Sequence, residues 1–141
     1  MINDNLKMTG AVSIALNGEV VREIPNLVVT TGKNFVASRM KDTTKAAMTH
    51  MSVGTDNTAA AAGQTALVSE AARGALTSTT VTANAIAYVE TFAAGTGTGA
   101  LVEAGLFNAS SGGDMLCRTV FAVVNKGSAD SMTITWTITV S

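Results

Sequence analysis

The chain holds one histidine, His50, and one cysteine, Cys117, the two side-chain types best suited to nucleophilic or proton-transfer chemistry near neutral pH. A Cys–His or Ser–His pair also needs surroundings that orient the base. Neither "MTHMSVG" nor "MLCRTVF" carries a nucleophile signature. His50, set between methionines on a strand-like run, reads as packing or surface. A single cysteine allows no internal disulfide, and Cys117 reads as a buried, inert thiol. Zinc needs three or four nitrogen or sulfur ligands, more than one His and one Cys supply. The ten acidic residues are scattered, with no D-x-D-x-D-G loop for calcium. The sequence therefore predicts no catalytic residue, no metal and no cofactor.

Charged residues offer structural roles instead. Glu70 and Arg73, three apart, can pair locally, which is worth little. Glu103 lies in "LVEAGLF" and Arg118 in "MLCRTVF". If those strands are neighbours, the two form a partly buried ion pair, the expected polar anchor of the core. Arg118 is expected to matter more than Lys126, which falls in the turn "NKGSAD". The "GTGTG" stretch at Gly95–Gly99 lacks the GKS or GKT ending of a phosphate loop and reads as a flexible joint. Lys33, Arg39 and Lys41 read as the solvated face of a helix. Aromatics make up 4% of the chain and the net charge is −1, so no basic, stacking surface for nucleic acid is expected.

Charged residues are 13% of the chain, about half the usual share of ~25%. Alanine and threonine must cover surface that Lys and Glu normally cover. Such a surface suits a protein packed against partners. No apolar run approaches the ~18 residues of a membrane span. "MINDNLKMTG" lacks a basic-then-apolar signal pattern, so assembly in a reducing cytoplasm is expected.

The elements that position these residues are mostly strands. "MTGAVSIAL" alternates, Asn17-Gly18 favours a two-residue type I′ turn, and "EVVREI" returns until Pro25 stops it. "LVVT" reads as a short strand. Phe35, Val36, Arg39 and Met40 then fall at helical spacing, predicting one helix over about Lys33–Lys41 with Thr31 as N-cap. "AAMTHMSVG" returns to strand. Residues 55–74 read as a small-residue connection, with one helical turn at "TALVSE". From Ala75 the chain is β to its end, with turns at "SSGG" and "NKGSAD". The expected fold is mainly β: a single β-sandwich domain over 1–141, jelly-roll or Ig-like, of about eight strands with one short helix near residues 33–41.

The closing stretch "SMTITWTITVS" alternates Met132, Ile134, Trp136, Ile138 and Val140 with four threonines. One face is therefore buried. Trp136, Ile134, Ile138, Phe107 and Phe121 are the expected core. The threonine face is flat and uncharged, and lacks the charges that protect edge strands. The strand must be central in its sheet, or a partner covers it.

Two stretches resemble a known pattern. "MSVGTDNTAAAAGQTALVSEAARG" is similar to a "VGTG-T-A…TAL-E" segment preceding an Arg, here Val53, Gly54, Thr55, Thr65, Ala66, Leu67, Glu70 and Arg73. "EAGLFNASSGGDMLCRTVF" is similar to an "EAGLF…GG-ML-R-VF" segment, here Glu103–Phe107 and Gly113–Phe121. Both segments occur in small structural proteins of tailed bacteriophages, and related strands occur in tail-fibre proteins. The resemblance implies a non-enzymatic, multimeric β-sandwich of the virion, typically a trimer. The role it points to is a capsid decoration (cement) protein that binds the major capsid protein. A tail, neck or fibre-attachment protein is the alternative, and the lack of a shaft-like repeat weighs toward decoration. A carbohydrate-binding module is a third reading, but it needs exposed aromatics. Tyr88 is the only tyrosine, and Trp136 is expected to be buried.

Overall fold

The computed structural model of the chain describes residues 6–41 and 45–141. Ten strands and one helix follow in chain order: β1 Met8–Leu16, β2 Glu19–Pro25, β3 Leu27–Val28, α1 Thr30–Arg39, β4 His50–Gly54, β5 Glu70–Ala75, β6 Ser78–Thr82, β7 Ala85–Phe92, β8 Gly99–Phe107, β9 Met115–Lys126 and β10 Met132–Val140. They form two five-stranded antiparallel sheets, β2-β1-β10-β7-β6 (sheet A) and β3-β9-β8-β4-β5 (sheet B). The fold is a β-sandwich.

Alternation builds the core. On β10, Met132, Ile134 and Trp136 are fully buried and Ile138 nearly so. Each such side chain contributes ~1.5–3 kcal/mol on burial. They meet Val12 and Ile14 of β1, Met51 and Val53 of β4, Leu101 and Leu106 of β8, and Phe121 and Val124 of β9. β10 is the central strand of sheet A, paired to β1 on one side and β7 on the other. Its position answers the edge question raised by its threonines.

The first hairpin follows its turn residues. Asn17 and Gly18 have φ of 51° and 84°, the left-handed backbone that a type I′ turn demands. Asn17 Nδ2 also donates to Asp130 Oδ1 at 2.9 Å, and Ser131 N–H donates to Asn17 Oδ1 at 3.0 Å. The β1–β2 turn is thus tied to the β9–β10 turn.

Three expectations change. The helix begins three residues early, at Thr30, with Val29 at the N-cap position and no side-chain cap; Thr31 lies inside it. Tertiary contacts replace the cap: Thr30 N–H donates to the Ala62 carbonyl at 2.8 Å, and Val29 is fully buried. Gly32 lets the helix press on β9, because a Cβ there would overlap the Leu116 carbonyl. That early start leaves only Leu27–Val28 of "LVVT" as strand.

The helical turn foreseen at Thr65–Glu70 is absent, and Glu70 opens a strand. Val68 and Ser69 donate their N–H groups to the Glu103 carboxylate, at 3.1 and 2.8 Å, so these donors are taken by a side chain instead of a helical carbonyl. β5 lies where a connection was expected, and the sandwich has ten strands in place of about eight.

Candidate functional site

Sheet B places Glu103 (β8) and Arg118 (β9) on its outer side, with Gly105 opposite Arg118 and Val120 opposite Glu103. Both side chains are fully buried, and Arg118 NH2 lies 2.7 Å from Glu103 Oε2. Nε donates to the same oxygen at 3.0 Å. The cover is the chain between β4 and β5. Arg118 NH1 donates to the Thr58 carbonyl (2.7 Å) and Gln64 Oε1 (3.1 Å). Glu103 receives the Val68 and Ser69 N–H groups on its other flank. One ion pair thus pins both ends of a loop that crosses the outer face of sheet B. A buried pair of this kind holds its place only when its remaining donors and acceptors are satisfied, and here they are.

Gly54 is part of the same device, because a Cβ there would overlap Ser69 O and Glu103 Oε1. Asp56 Oδ1 accepts the Thr58 N–H at 2.7 Å, which sets the loop's first turn. The Thr58 hydroxyl and then this N–H hold that carboxyl below its ordinary range. The Glu103–Arg118 pair has no access to solvent and fastens the roof.

Phe107 is buried, but outside the main core. It packs with Val29, Leu67 and Met115 in a small cluster beneath the same roof. Arg73 lies over its ring, 3.8 Å from the centroid. Arg73 also donates to Glu70 (2.7 Å) and to the Ala109 and Gly112 carbonyls (3.0 and 2.9 Å). The Glu70–Arg73 pair is therefore more than a local surface contact: Arg73 clamps the β8–β9 turn. The other expected core residues, Trp136, Ile134, Ile138 and Phe121, all lie in the main cluster.

His50 and Cys117 face opposite sides of sheet B. His50 is in register with outward Phe107, whereas Cys117 is in register with Leu106 and belongs to the core. The thiol is fully buried and its pKa is pushed well up by that burial. The His50 ring meets the Thr49 hydroxyl at 2.8 Å. Among the described residues, which exclude Asp4 and Asp42, no group of three His, Cys, Asp or Glu side chains is placed to hold a metal ion.

Two buried charged residues escaped the sequence reading. Lys126 is 1% exposed and donates to the Ala93 carbonyl at 2.9 Å, closing one end of the sandwich; it is not a surface turn residue. Glu90 is 5% exposed, and its Oε2 has no partner. Burial pushes its carboxyl above the ordinary value. The signal was present in both cases. Glu90 continues the alternation Ile86, Tyr88, and Lys126 follows Val124 on the inward side of β9.

The outer face of sheet A is different. Thr133, Thr135, Thr137 and Thr139 form its central row. In register beside them stand Thr9, Ala11, Ser13 and Ala15 of β1, and Ala85, Ala87, Val89 and Thr91 of β7. Ser78, Thr80 and Thr82 of β6 extend it. On the other side lie Glu23 and Pro25 of β2, beside a shallow groove of about 440 Å³ floored by Thr135 and Thr137. Glu23 is the one charge in this array. Apart from Glu23 and Pro25 the side chains named are short, so the surface is flat and made mainly of methyl and hydroxyl groups. No described segment crosses it.

Every aromatic side chain of the protein is buried: Trp136, Tyr88, Phe35, Phe92, Phe107 and Phe121. Burial raises the Tyr88 phenol to about 12. An aromatic platform for sugar stacking has nothing to build on. Comparison with protein-family models, with curated proteins and with solved structures gives no match.

Proposed function

We propose that this protein is a non-enzymatic structural protein of a tailed-bacteriophage virion. In this reading it is a capsid decoration (cement) protein that lays the outer face of sheet A against neighbouring subunits of the major capsid protein. The observation that carries it is that face: a broad array of threonine, alanine and serine with one carboxylate, Glu23. A surface depleted of charge and of long flexible side chains loses little desolvation energy and little side-chain entropy when covered. The opposite sheet has its equivalent face sealed by its own loop, which leaves sheet A as the side for a partner.

The resemblance of the segments around Val53–Arg73 and Glu103–Phe121 to phage structural proteins supports the same reading, and carries with it assembly in the bacterial cytoplasm and a multimeric state, typically trimeric in those proteins. The low charge fits a role inside an assembly, and neither nucleic acid nor a membrane enters it as a partner. Among the described residues no helix is long and apolar enough to cross a membrane.

Immunogold electron microscopy of purified virions, with antibody against this chain, tests the proposal. Label spread over the head is expected. Label confined to the neck or tail moves the protein to the tail, neck or fibre-attachment alternative, and virions without label overturn the reading. A Thr135→Lys/Thr137→Lys double variant should fold and yet fail to label heads.

A further inference from the structure

The four edges of the two sheets are unequal. β2 carries Glu19, Arg22, Glu23 and Pro25 and has a bulge opposite Ile14 and Ala15. Arg22 turns inward across the seam and donates to the Ala122 and Val123 carbonyls at 2.9 and 2.6 Å, capping β9. β3 is only two residues long. β5 bears the Glu70–Arg73 ion pair. Charges, proline, bulges and shortness are the usual means of blunting an edge against further pairing. β6 has none of them. Its sequence is Ser-Thr-Thr-Val-Thr, every residue is exposed, and its pairing with β7 shows no register shift. Val81 is 69% exposed although it lies on the side of sheet A that faces the core, in register with Ile86. β6 therefore overhangs sheet B and offers both a free backbone edge and an uncovered apolar side chain.

We infer that β6 is an assembly edge that pairs antiparallel with β6 of a second copy of this chain, joining two copies of sheet A into one continuous ten-stranded sheet. The lack of charge admits this occupant, and the strand is complementary to its own reverse. Two-fold pairing sets a strand against its own reverse, so a charge at the centre meets its like. β6 has no charge to oppose. The register centred on Thr80 is the one that pairs all five residues: Ser78 with Thr82, Thr79 with Val81, and Thr80 with Thr80. Thr–Thr and Thr–Val are favourable cross-strand pairs. The other edges of a second copy are poor substitutes, because each carries a blunting feature. A five-residue strand pair falls in the size class below about 1,200 Å² in total, that of weak, reversible contacts. The dimer should therefore form in the micromolar range and matter where copies are concentrated. This inference stands apart from the virion reading and joins copies in twos, whatever contacts the outer face of sheet A adds.

Sedimentation equilibrium across the micromolar range, with Thr80→Lys and Thr80→Asp variants, tests it. The wild type should associate into dimers. Each variant alone should be monomeric over the same range, since like charges then face each other. An equimolar mixture of the two should recover dimers. Thr80 is exposed, so both variants should keep the wild-type circular dichroism. If a variant does not fold, amide hydrogen exchange of the wild type replaces it: protection of residues 78–82 must rise with protein concentration. A wild type that stays monomeric, an association untouched by Thr80→Lys, or exchange at 78–82 independent of concentration would each overturn the inference.

Discussion

On its outer side sheet B carries Glu103, Arg118, Phe107 and Met115, and covers them with the chain between Gly54 and Glu70. On its outer side sheet A carries Thr133, Thr135, Thr137 and Thr139, and no described part of the chain lies over them. Long charged and apolar side chains need a roof: a buried carboxylate or guanidinium left unpaired costs several kcal/mol. Short hydroxyl side chains do not, because each threonine can bond to water or to its neighbour, as Thr91 and Thr133 do at 2.9 Å. One outer face therefore spends its sequence on internal stability. The other keeps a surface that is cheap to leave bare and cheap to cover.

That contrast can be broken by substitution, and the core shared by the two sheets sets the scale. Trp136→Ala should destabilise by ~3–5 kcal/mol in chemical denaturation. Trp136→Phe should cost much less, since the buried Nε1 has no partner to lose. If Trp136→Ala leaves stability near wild type, the assignment of the two faces of β10 is wrong.

Arg118→Ala should also cost ~3–5 kcal/mol by stranding the Glu103 carboxylate. It should expose residues 56–67 to limited proteolysis as well. The exposed control Lys33→Ala should stay within about ±0.5 kcal/mol. Equal effects for the two would show that the roof does not depend on the ion pair. A double replacement by apolar residues, Glu103→Leu with Arg118→Met, should recover part of the loss.

Arg73→Ala comes next, at about 2 kcal/mol, from charged hydrogen bonds and the contact with the Phe107 ring. Its signature is local: faster hydrogen exchange in residues 108–113, with the loop at 56–67 unchanged.

Glu90 sharpens the comparison through pH. Its carboxyl is raised from an ordinary 4.5 by burial, so the folded state holds its proton more tightly than the unfolded state. The stability that this proton confers is complete below about pH 4.5 and is lost as pH rises through the folded value. The melting temperature of Glu90→Gln should therefore fall less than that of the wild type as pH rises from 4.5 toward neutrality. Parallel curves would place the carboxylate in water.

The smallest effects belong to the bare face. Thr135→Ala and Thr137→Ala should each change stability by no more than about 0.5 kcal/mol. A loss beyond ~1.5 kcal/mol would show that these threonines are already committed to internal contacts.

Much of the fold was legible because strands with one buried face write a period of two into the sequence. β1, the Asn17-Gly18 turn and the buried face of β10 were all readable on that basis, as were the residue types of the Glu103–Arg118 anchor. The misses share a cause. The start of α1, the short β3 and the missing helical turn at Thr65–Glu70 were each decided by a group distant in sequence: the Ala62 carbonyl, the Leu116 carbonyl beside Gly32, and the Glu103 carboxylate. Local propensity has no access to such partners. Glu90 and Lys126 were missed for another reason: residue type was weighed above position, although both sit on the buried phase of their strands.

By itself the sequence determined that the chain forms a sandwich of alternating strands and is poor in charge, because those properties depend on composition and near-neighbour spacing alone. Only the tertiary structure decided which outer face is roofed and which is bare, and which of four edges is left unguarded. Those outcomes depend on strand order and on where one loop docks, and both are fixed by contacts between residues far apart in the chain.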